Sequence, residues 1–472
     1  MWTSQSPLES PPATPPEAWA PLLRLARRTA RPLERFLRIE AASGILLLVA
    51  AVLALLWANS PWSSLYTQLW QTPLGLRFGP LHFERSLEWF INDALMVLFF
   101  FVVGMEIRRE LHDGELSEWR RAVLPLAAAC GGMVVPALLY LCLAGTPATR
   151  SGWGVPMATD IAFAVGVLTL LGKRVPAALR VLLLALAVID DLGAILVIAA
   201  FYSTGIALKG LLLAGAGIAI ILVMQRMGIR SKLLYVLPGL LAWAGIYSAG
   251  VHPTIAGVLI GLLTPVRAWL GPSGFVHDVQ SNLQQLLALP TQTLSTQQLS
   301  TRLRAINRAR REALSPAEAL IEALHPWVAY AIMPLFALAN AGVRLEGLAF
   351  GTSTLNVFLG SSVGLLFGKP IGVFAASLLS IKLGFAALPG GLGLRHLIVL
   401  GVVAGIGFTM SLFIAQLAFS DAGLLAAAKL GVLSASVTAG LFSILIGQVL
   451  LPAQISVLHA QTADEAETST EL

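Results

Sequence analysis

Val188-Ile189-Asp190-Asp191-Leu192-Gly193 places two adjacent carboxylates in the middle of an apolar run from Val181 to Phe201. A run of roughly 20 apolar residues is long enough to cross a bilayer. A charge at the centre of a membrane helix costs on the order of 3 kcal/mol on insertion scales, so two in succession need a reason. The usual reason is a proton or cation pathway. On a helix, adjacent residues are about 100° apart, so the two carboxylates cannot face one partner together and are free to differ in role.

The composition agrees with a membrane setting. Apolar residues make up 57% of the chain and charged residues 12%, about half the roughly 25% charge of soluble domains. The apolar runs continue from Gly44 to Leu451, which favours one membrane domain over a string of soluble ones. The net charge of +6 comes from short loops between apolar runs, where Arg and Lys set topology, and does not indicate nucleic-acid binding. Cys130 and Cys142 lie on one apolar segment and offer neither a disulfide framework nor a metal spacing.

Working outward, spans are expected at about 44–58, 89–107, 122–145, 154–172, 177–201, 205–224, 233–249, 251–264, 326–343, 355–380, 396–418 and 427–451, about 12 in all. Arg108, Arg109, Arg120, Arg121, Lys173, Arg174, Arg226, Arg230, Lys232, Arg267, the Arg302 to Arg311 cluster, Lys382 and Arg395 fall on one side. The opposite loops carry few basic residues, namely Arg77, Arg85, Arg150 and Arg344. Both termini are therefore expected in the cytoplasm, with an even number of spans.

Four parts stand outside the spans. In an N-terminal extension of 1–35, residues 1–21 read as a disordered tail rich in Pro, Ser, Thr and Ala, and the basic stretch Leu22 to Ile39 reads either as an amphipathic helix on the cytoplasmic surface or as a plain positive flank that holds the first span in place. The membrane domain covers 36–452, with one long cytoplasmic loop at about 266–324, and a polar, acidic tail occupies 453–472. Between the first two spans, Gly75 to Glu84 alternates around Gly79-Pro80, a hairpin signal outside the membrane. Its exposed edge could pair with a second copy, so a homodimer is expected. Membrane lipid is the other expected partner; no cofactor, nucleic acid or further protein is.

Further polar residues sit where lipid should be. Thr159-Asp160 follows Gly154-Val155-Pro156, and a Pro/Gly break inside a span is tolerated only when it is buried in protein or lines a cavity. Lys369, in Gly368-Lys369-Pro370, needs a carboxylate from another span or a route to the interface. Asp93, beside Asn92, either lines the same path or sits at the outer interface. A late span carries Gly401, Gly405 and Gly407 before Thr409 and Ser411. Two interrupted spans, one in each half of the chain, point to inverted-topology repeats, here 122–201 and 355–451, with the breaks crossing at mid-membrane. Asp160 would then face the positive N-terminal ends of the half-helices and Lys369 the negative ends. The fold class expected is an all-α integral membrane protein with inverted repeats, two crossing interrupted helices and a small extramembrane hairpin.

Several stretches resemble the NhaA family of bacterial sodium/proton antiporters. They are Ile91-Asn92-Asp93-Ala94-Leu95-Met96, Gly104-Met105-Glu106-Ile107-Arg108-Arg109-Glu110-Leu111, Ala158-Thr159-Asp160-Ile161-Ala162-Phe163 and Ile189-Asp190-Asp191-Leu192-Gly193-Ala194. Gly250-Val251-His252-Pro253-Thr254, Leu324-His325-Pro326-Trp327-Val328, Pro334-Leu335-Phe336-Ala337-Leu338-Ala339-Asn340-Ala341-Gly342, Gly368-Lys369-Pro370 and Gly405-Ile406-Gly407-Phe408-Thr409-Met410-Ser411 continue in order. That family is one of those from which the inverted-repeat pattern was drawn, so the two readings are not independent.

The resemblance implies electrogenic, pH-regulated exchange of Na+ or Li+ for protons. It makes Asp191 the principal cation ligand and proton carrier and Asp190 its partner, either as a second carrier or paired with Lys369. It puts Thr159 and Asp160 at the crossing. It links Glu106, Arg109, Glu110, His252 and His325 to pH response. One departure is visible: Leu320-Ile321-Glu322-Ala323 carries its acid one residue away from the family pattern. A passive cation channel would instead favour rings of like charge. An intramembrane aspartyl protease would share two buried aspartates but resembles its kin in a Gly-x-Gly-Asp motif absent here.

Overall fold

The computed structural model describes residues 42–451 apart from 79–80, 204, 206, 288–294 and 347–350. The expectations for 1–35 and 453–472, and for the Gly79-Pro80 tip of the hairpin, lie outside those residues.

Helix α1 (Ala42–Ala58) turns by 114° into the short α2 (Ser63–Gln71). The corner is Asn59-Ser60-Pro61, where Pro61 cannot continue the helix. The Asn59 side chain donates to the Leu55 and Val343 carbonyls, both at 2.8 Å, and accepts from the Leu345 amide at 2.8 Å, tying the corner to the far half of the chain. The hairpin follows as antiparallel β1 (Pro73–Phe78) and β2 (Leu81–Ser86), in register from Pro73 opposite Ser86 to Phe78 opposite Leu81. The Ser86 hydroxyl then accepts from the Trp89 amide and caps α3 (Leu87–Asp113), which contains a π turn over Phe90–Leu95.

The remaining elements are α4 (Trp119–Ala144), a 3-10 turn (Arg150–Met157), α5 (Ile161–Leu170), α6 (Ala177–Phe201), α7 (Leu208–Arg226), α8 (Val236–Ser248) and α9 (Thr254–Leu263). After them come α10 (Gly271–Leu287), α11 (Thr296–Ala313), α12 (Pro316–Asn340), α13 (Thr352–Lys382), α14 (Leu394–Ala404), α15 (Phe408–Ala418) and α16 (Ala422–Leu450). Among the described residues, eight helices are long and apolar enough to cross a membrane. The bent pairs α1–α2 and α14–α15, the latter turning by 47°, raise that to ten, and two shorter apolar helices, Lys232–Ser248 and Thr254–Leu263, occupy the other expected positions.

One boundary differs from expectation. The long loop ends at Ser315, not near 324, because α12 starts at Pro316. Ser315 Oγ accepts from the Glu318 amide at 3.1 Å while the Glu318 carboxylate accepts from the Ser315 amide at 3.0 Å, a capping box. Glu318, Glu322 and His325 make the first turns of α12 too polar to read as lipid-facing, which hid the helix. The loop itself is an antiparallel pair, α10 and α11, rooted between α9 and α12.

The inverted relation of the two repeats shows in how α4 meets α13. Gly131 faces Gly372, Pro136 faces Gly368 and Gly364, and Tyr140 faces Gly360. Numbers rise on one helix as they fall on the other, so the first helices of the two repeats run antiparallel. Glycine permits the approach: a Cβ on Gly372 would lie 2.1 Å from the Gly131 carbonyl oxygen. In a bilayer such small-residue contacts are what lets helices associate, since apolar burial alone gives no preference over lipid.

Candidate functional site

Repeat one breaks between Met157 and Ile161, and repeat two between Ala404 and Phe408. Each break leaves backbone groups that no helix satisfies, and the breaks satisfy one another. The Asp160 amide donates to the Ile406 carbonyl at 2.7 Å. The Asp160 carboxylate accepts from the Phe163 amide (3.0 Å) and the Thr409 amide (3.1 Å), and from the Thr409 hydroxyl. One carboxylate thus lies at the N-termini of both α5 and α15, where the helix dipoles favour negative charge.

The C-terminal ends are met from the opposite sign. Lys369 Nζ donates to the Met157 carbonyl, which closes the 3-10 turn, and forms an ion pair with Asp190 Oδ2 at 2.8 Å. The Thr159 hydroxyl is placed to donate to Asp190 Oδ2 at 2.7 Å or to the Ala404 carbonyl, at the end of α14, at 3.1 Å. Both side chains of the ion pair are fully buried. Such a pair requires close geometry and extra hydrogen bonds to offset desolvation, and both are present here.

Asp191 differs. It is buried on the same helix, and among the described residues no donor reaches either carboxylate oxygen. Asp190 Oδ1 and the Ser411 hydroxyl are likewise buried without a partner. A bare carboxylate in such a place is costly unless it takes up a proton or a cation. The geometry gives Asp190 a counter-charge in Lys369 and gives Asp191 none among the described residues. Among the described residues there is no group of three or more His, Cys, Asp or Glu side chains of the kind that holds a resident metal.

The other residues singled out from sequence divide into two groups. Glu106 lies on α3, which packs against α6, the helix of Asp191, and against α12, the helix of His325, and Arg109 and Glu110 lie near the same end of α3. The Arg109 guanidinium is 3.8 Å from Glu110 and its charge reaches His325, while Glu110 accepts from the Glu115 amide at 3.3 Å. His252 is elsewhere. Its Nε2 is 3.4 Å from Asp93 Oδ1, and its Nδ1 lies 2.8 Å from the Thr254 hydroxyl. Asp93 precedes Glu106 by 13 positions, about 20 Å along a helix. His252 therefore does not join the Glu106 group.

A further polar cluster lies on the Asp93 and His252 side of the crossing. Asn340 donates to Asn92 at 2.7 Å, Asn92 donates back at 3.2 Å, and the Gln416 amide donates to Asn340 Oδ1. The His252 ring meets Phe413 edge-on at 5.4 Å, and Phe413 also packs on Phe100 and Phe336. Gln416 and Phe413 belong to α15, the half-helix that starts beside Asp160, so this cluster and the crossing share one helix. Sequence reasoning assigned no role to Asn340, Gln416, Phe413 or the buried Lys429 of α16. Asn340, Gln416 and Lys429 had a usable signal, a polar group inside an apolar span. The Met157 carbonyl had none, because every residue carries one.

A multi-pass helical membrane protein whose two inverted repeats cross at buried carboxylates has the architecture of a secondary transporter. Residues 34–446 match the Na+/H+ antiporter 1 family, and the chain belongs to that family. It is 63% identical over 472 residues to a protein of Myxococcus xanthus named Na(+)/H(+) antiporter NhaA 2, covering 100% of both chains. It is 56% identical over 459 residues to a protein of the same name from Sorangium cellulosum, covering 97% of this chain and 98% of the relative. Against the Na(+)/H(+) antiporter NhaA of Janthinobacterium sp. the identity is 48% over 447 residues, covering 94% and 97%. The chain is thus a cation/proton antiporter, a transporter and not an enzyme.

Proposed function

We propose that the protein exchanges Na+ or Li+ for protons across the bacterial inner membrane, with Asp191 as the group for which the two compete. The observation that carries this reading is the contrast between neighbours: Asp190 is neutralised by Lys369, while both Asp191 oxygens are buried without a donor among the described residues. A proton makes Asp191 neutral, and an alkali cation compensates its charge. Either one relieves the cost of a bare buried charge, and each excludes the other. Exchange follows if the site changes the side it faces only when one of them is bound.

Asp190 and Lys369 together hold one proton, on the lysine. If cation binding at Asp191 draws Asp190 into the coordination shell, the ion pair opens and that proton leaves with the one from Asp191. Two protons then move against one cation, and one net charge crosses per cycle, worth about 2.3 kcal/mol per 100 mV. Thr159 steadies Asp190, and Asp160 holds the two half-helices together through the change. The Glu106, Arg109, Glu110 and His325 group near one mouth of the path is read as setting the pH response. Asp93 with His252 is read as lining the other end. The arginine-rich face is taken as cytoplasmic, which puts both termini inside. The free edge of the β1–β2 hairpin is taken as the contact between two copies. Dimers that survive deletion of 75–84 in mild detergent would remove that last point.

The decisive experiment is current recorded on solid-supported membranes carrying the reconstituted protein. Sodium or lithium pulses should give transient currents whose sign reports net positive charge moving with the protons, and potassium should give none. Asp191→Asn should abolish them. Cation flux that persists in Asp191→Asn, or flux without proton movement, would overturn the reading.

A further inference from the structure

The α10–α11 pair lies outside the carrier machinery, and its surface combines two features. The first is charge: α11 carries Arg302, Arg304, Arg308, Arg310 and Arg311 against a single acid, Glu312. The second is exposed apolar surface on both helices. Leu299 and Leu303 are one turn apart on α11 and 42% and 49% exposed. Val276 and Leu283, two turns apart on α10, are 60% and 47% exposed. Spacings of four and seven place each pair on one helix face.

The base of the pair is anchored. The Leu270 amide donates to the Glu312 carbonyl at 3.0 Å, and the Ala317 amide donates to Pro265 at 3.1 Å. The Arg230 guanidinium, from the α7–α8 connection, lies 4.3 Å over the Trp269 ring and is ion-paired with Glu312. Both ends of the hairpin emerge directly from spans α9 and α12, so it starts at the bilayer surface. It does so on the face where the loop arginines cluster.

We propose that this hairpin is a docking arm that rests on anionic phospholipid beside the transporter. Charge complementarity selects that occupant. Exposed leucines alone would suit any apolar surface, but leucines bordered by arginines suit the boundary between acyl chains and phosphate headgroups. Arg310, seven positions after Leu303, shares the Leu299–Leu303 face, Arg304 and Arg311 lie within about 100° of Leu303 around the helix, and none of the three has an ion-pair partner among the described residues. Arg308 differs, being held by Glu312 at 3.1 Å. The arm would tie the α7–α8 connection, through Arg230, to the lipid composition of the leaflet.

The test uses the full-length chain with Cys130→Ser and Cys142→Ser, and an environment-sensitive fluorophore attached at Val276→Cys. The protein is reconstituted in vesicles of uniform composition on both leaflets, so the result does not depend on which face is cytoplasmic. Spin-labelled lipid should quench the probe in phosphatidylglycerol vesicles and do so at least about fivefold less in phosphatidylcholine. Quenching should fall to the phosphatidylcholine level in an Arg304→Gln, Arg310→Gln, Arg311→Gln variant and at high salt, which screens the arginines without any mutation. Cation exchange in the same vesicles serves as the folding control. Equal quenching in both lipids, or none in either, overturns the proposal. So does protection that grows with protein density, which would assign the face to a second copy.

Discussion

Two neighbouring aspartates of one chemical kind are placed in opposite circumstances by a single lysine. Removing the charge at Asp191 breaks no hydrogen bond among the described residues, since none of them donates to either oxygen. Asp191→Asn should therefore fold with an unchanged or higher melting temperature while exchange falls to background. A melting temperature that drops sharply would mean that the carboxylate has a structural partner. Asp190→Asn should do the reverse to the fold. It leaves Lys369 buried opposite a neutral group, a loss of about 3–5 kcal/mol for a broken buried pair. Asp190→Asn combined with Lys369→Met should recover much of that loss in a thermal melt. Additive losses in the double variant would show that the two side chains do not act as a pair.

At the level of elements, the crossing depends on close backbone contact between the repeats. Gly372→Ala forces a Cβ to within 2.1 Å of the Gly131 carbonyl oxygen, so α4 and α13 must separate. A cost of about 1–3 kcal/mol is expected, in line with other overpacked contacts. Gly215→Ala, on α7, meets nothing within 4 Å and serves as the control. It should leave stability unchanged or raise it slightly, because alanine favours helix by roughly 1 kcal/mol over glycine. Melting curves of the two variants in one detergent decide the matter; equal shifts would show that helix propensity and not contact is being measured. Element identity was largely legible in the sequence. Twelve apolar segments, two interrupted spans and the hairpin were all expected where they occur. The start of α12 was not, although Ser315-Pro316-Ala317-Glu318 spells a capping box, because hydropathy was read ahead of capping chemistry.

For the molecule as a whole, the α10–α11 base holds a titratable group outside the membrane-spanning segments. Burial alone would raise the Glu312 carboxyl, but the hydrogen bond from Arg308 and the charges of Arg230 and Arg308 outweigh it and hold it below its ordinary 4.5. A depressed carboxylate contributes stability above its unfolded value, and that stability is lost as pH falls through the folded one. The anchor should therefore be intact across the neutral range and loosen only in acid, below the ordinary glutamate value of 4.5. Limited proteolysis within 266–315 should show no change between pH 6 and pH 8. Glu312→Gln should produce at neutral pH the cleavage seen in acid, as a modest effect because the group is solvent-screened. Cleavage that changes through neutrality would make this cluster, and not the Glu106 group, the neutral-range sensor.

Sequence by itself determined that the chain spans a membrane many times and which positions are anomalous in it. The cost of a charge in lipid and the effect of Pro or Gly on a helix are local properties, readable one segment at a time. Only the tertiary structure decided the pairings. It gave Lys369 to Asp190 and not to Asp191, laid Asp160 across two helix N-termini, and put His252 with Asp93 far from Glu106. Those choices depend on which helix faces meet and in which direction they run. Local patterns of apolar and polar residues do not specify that.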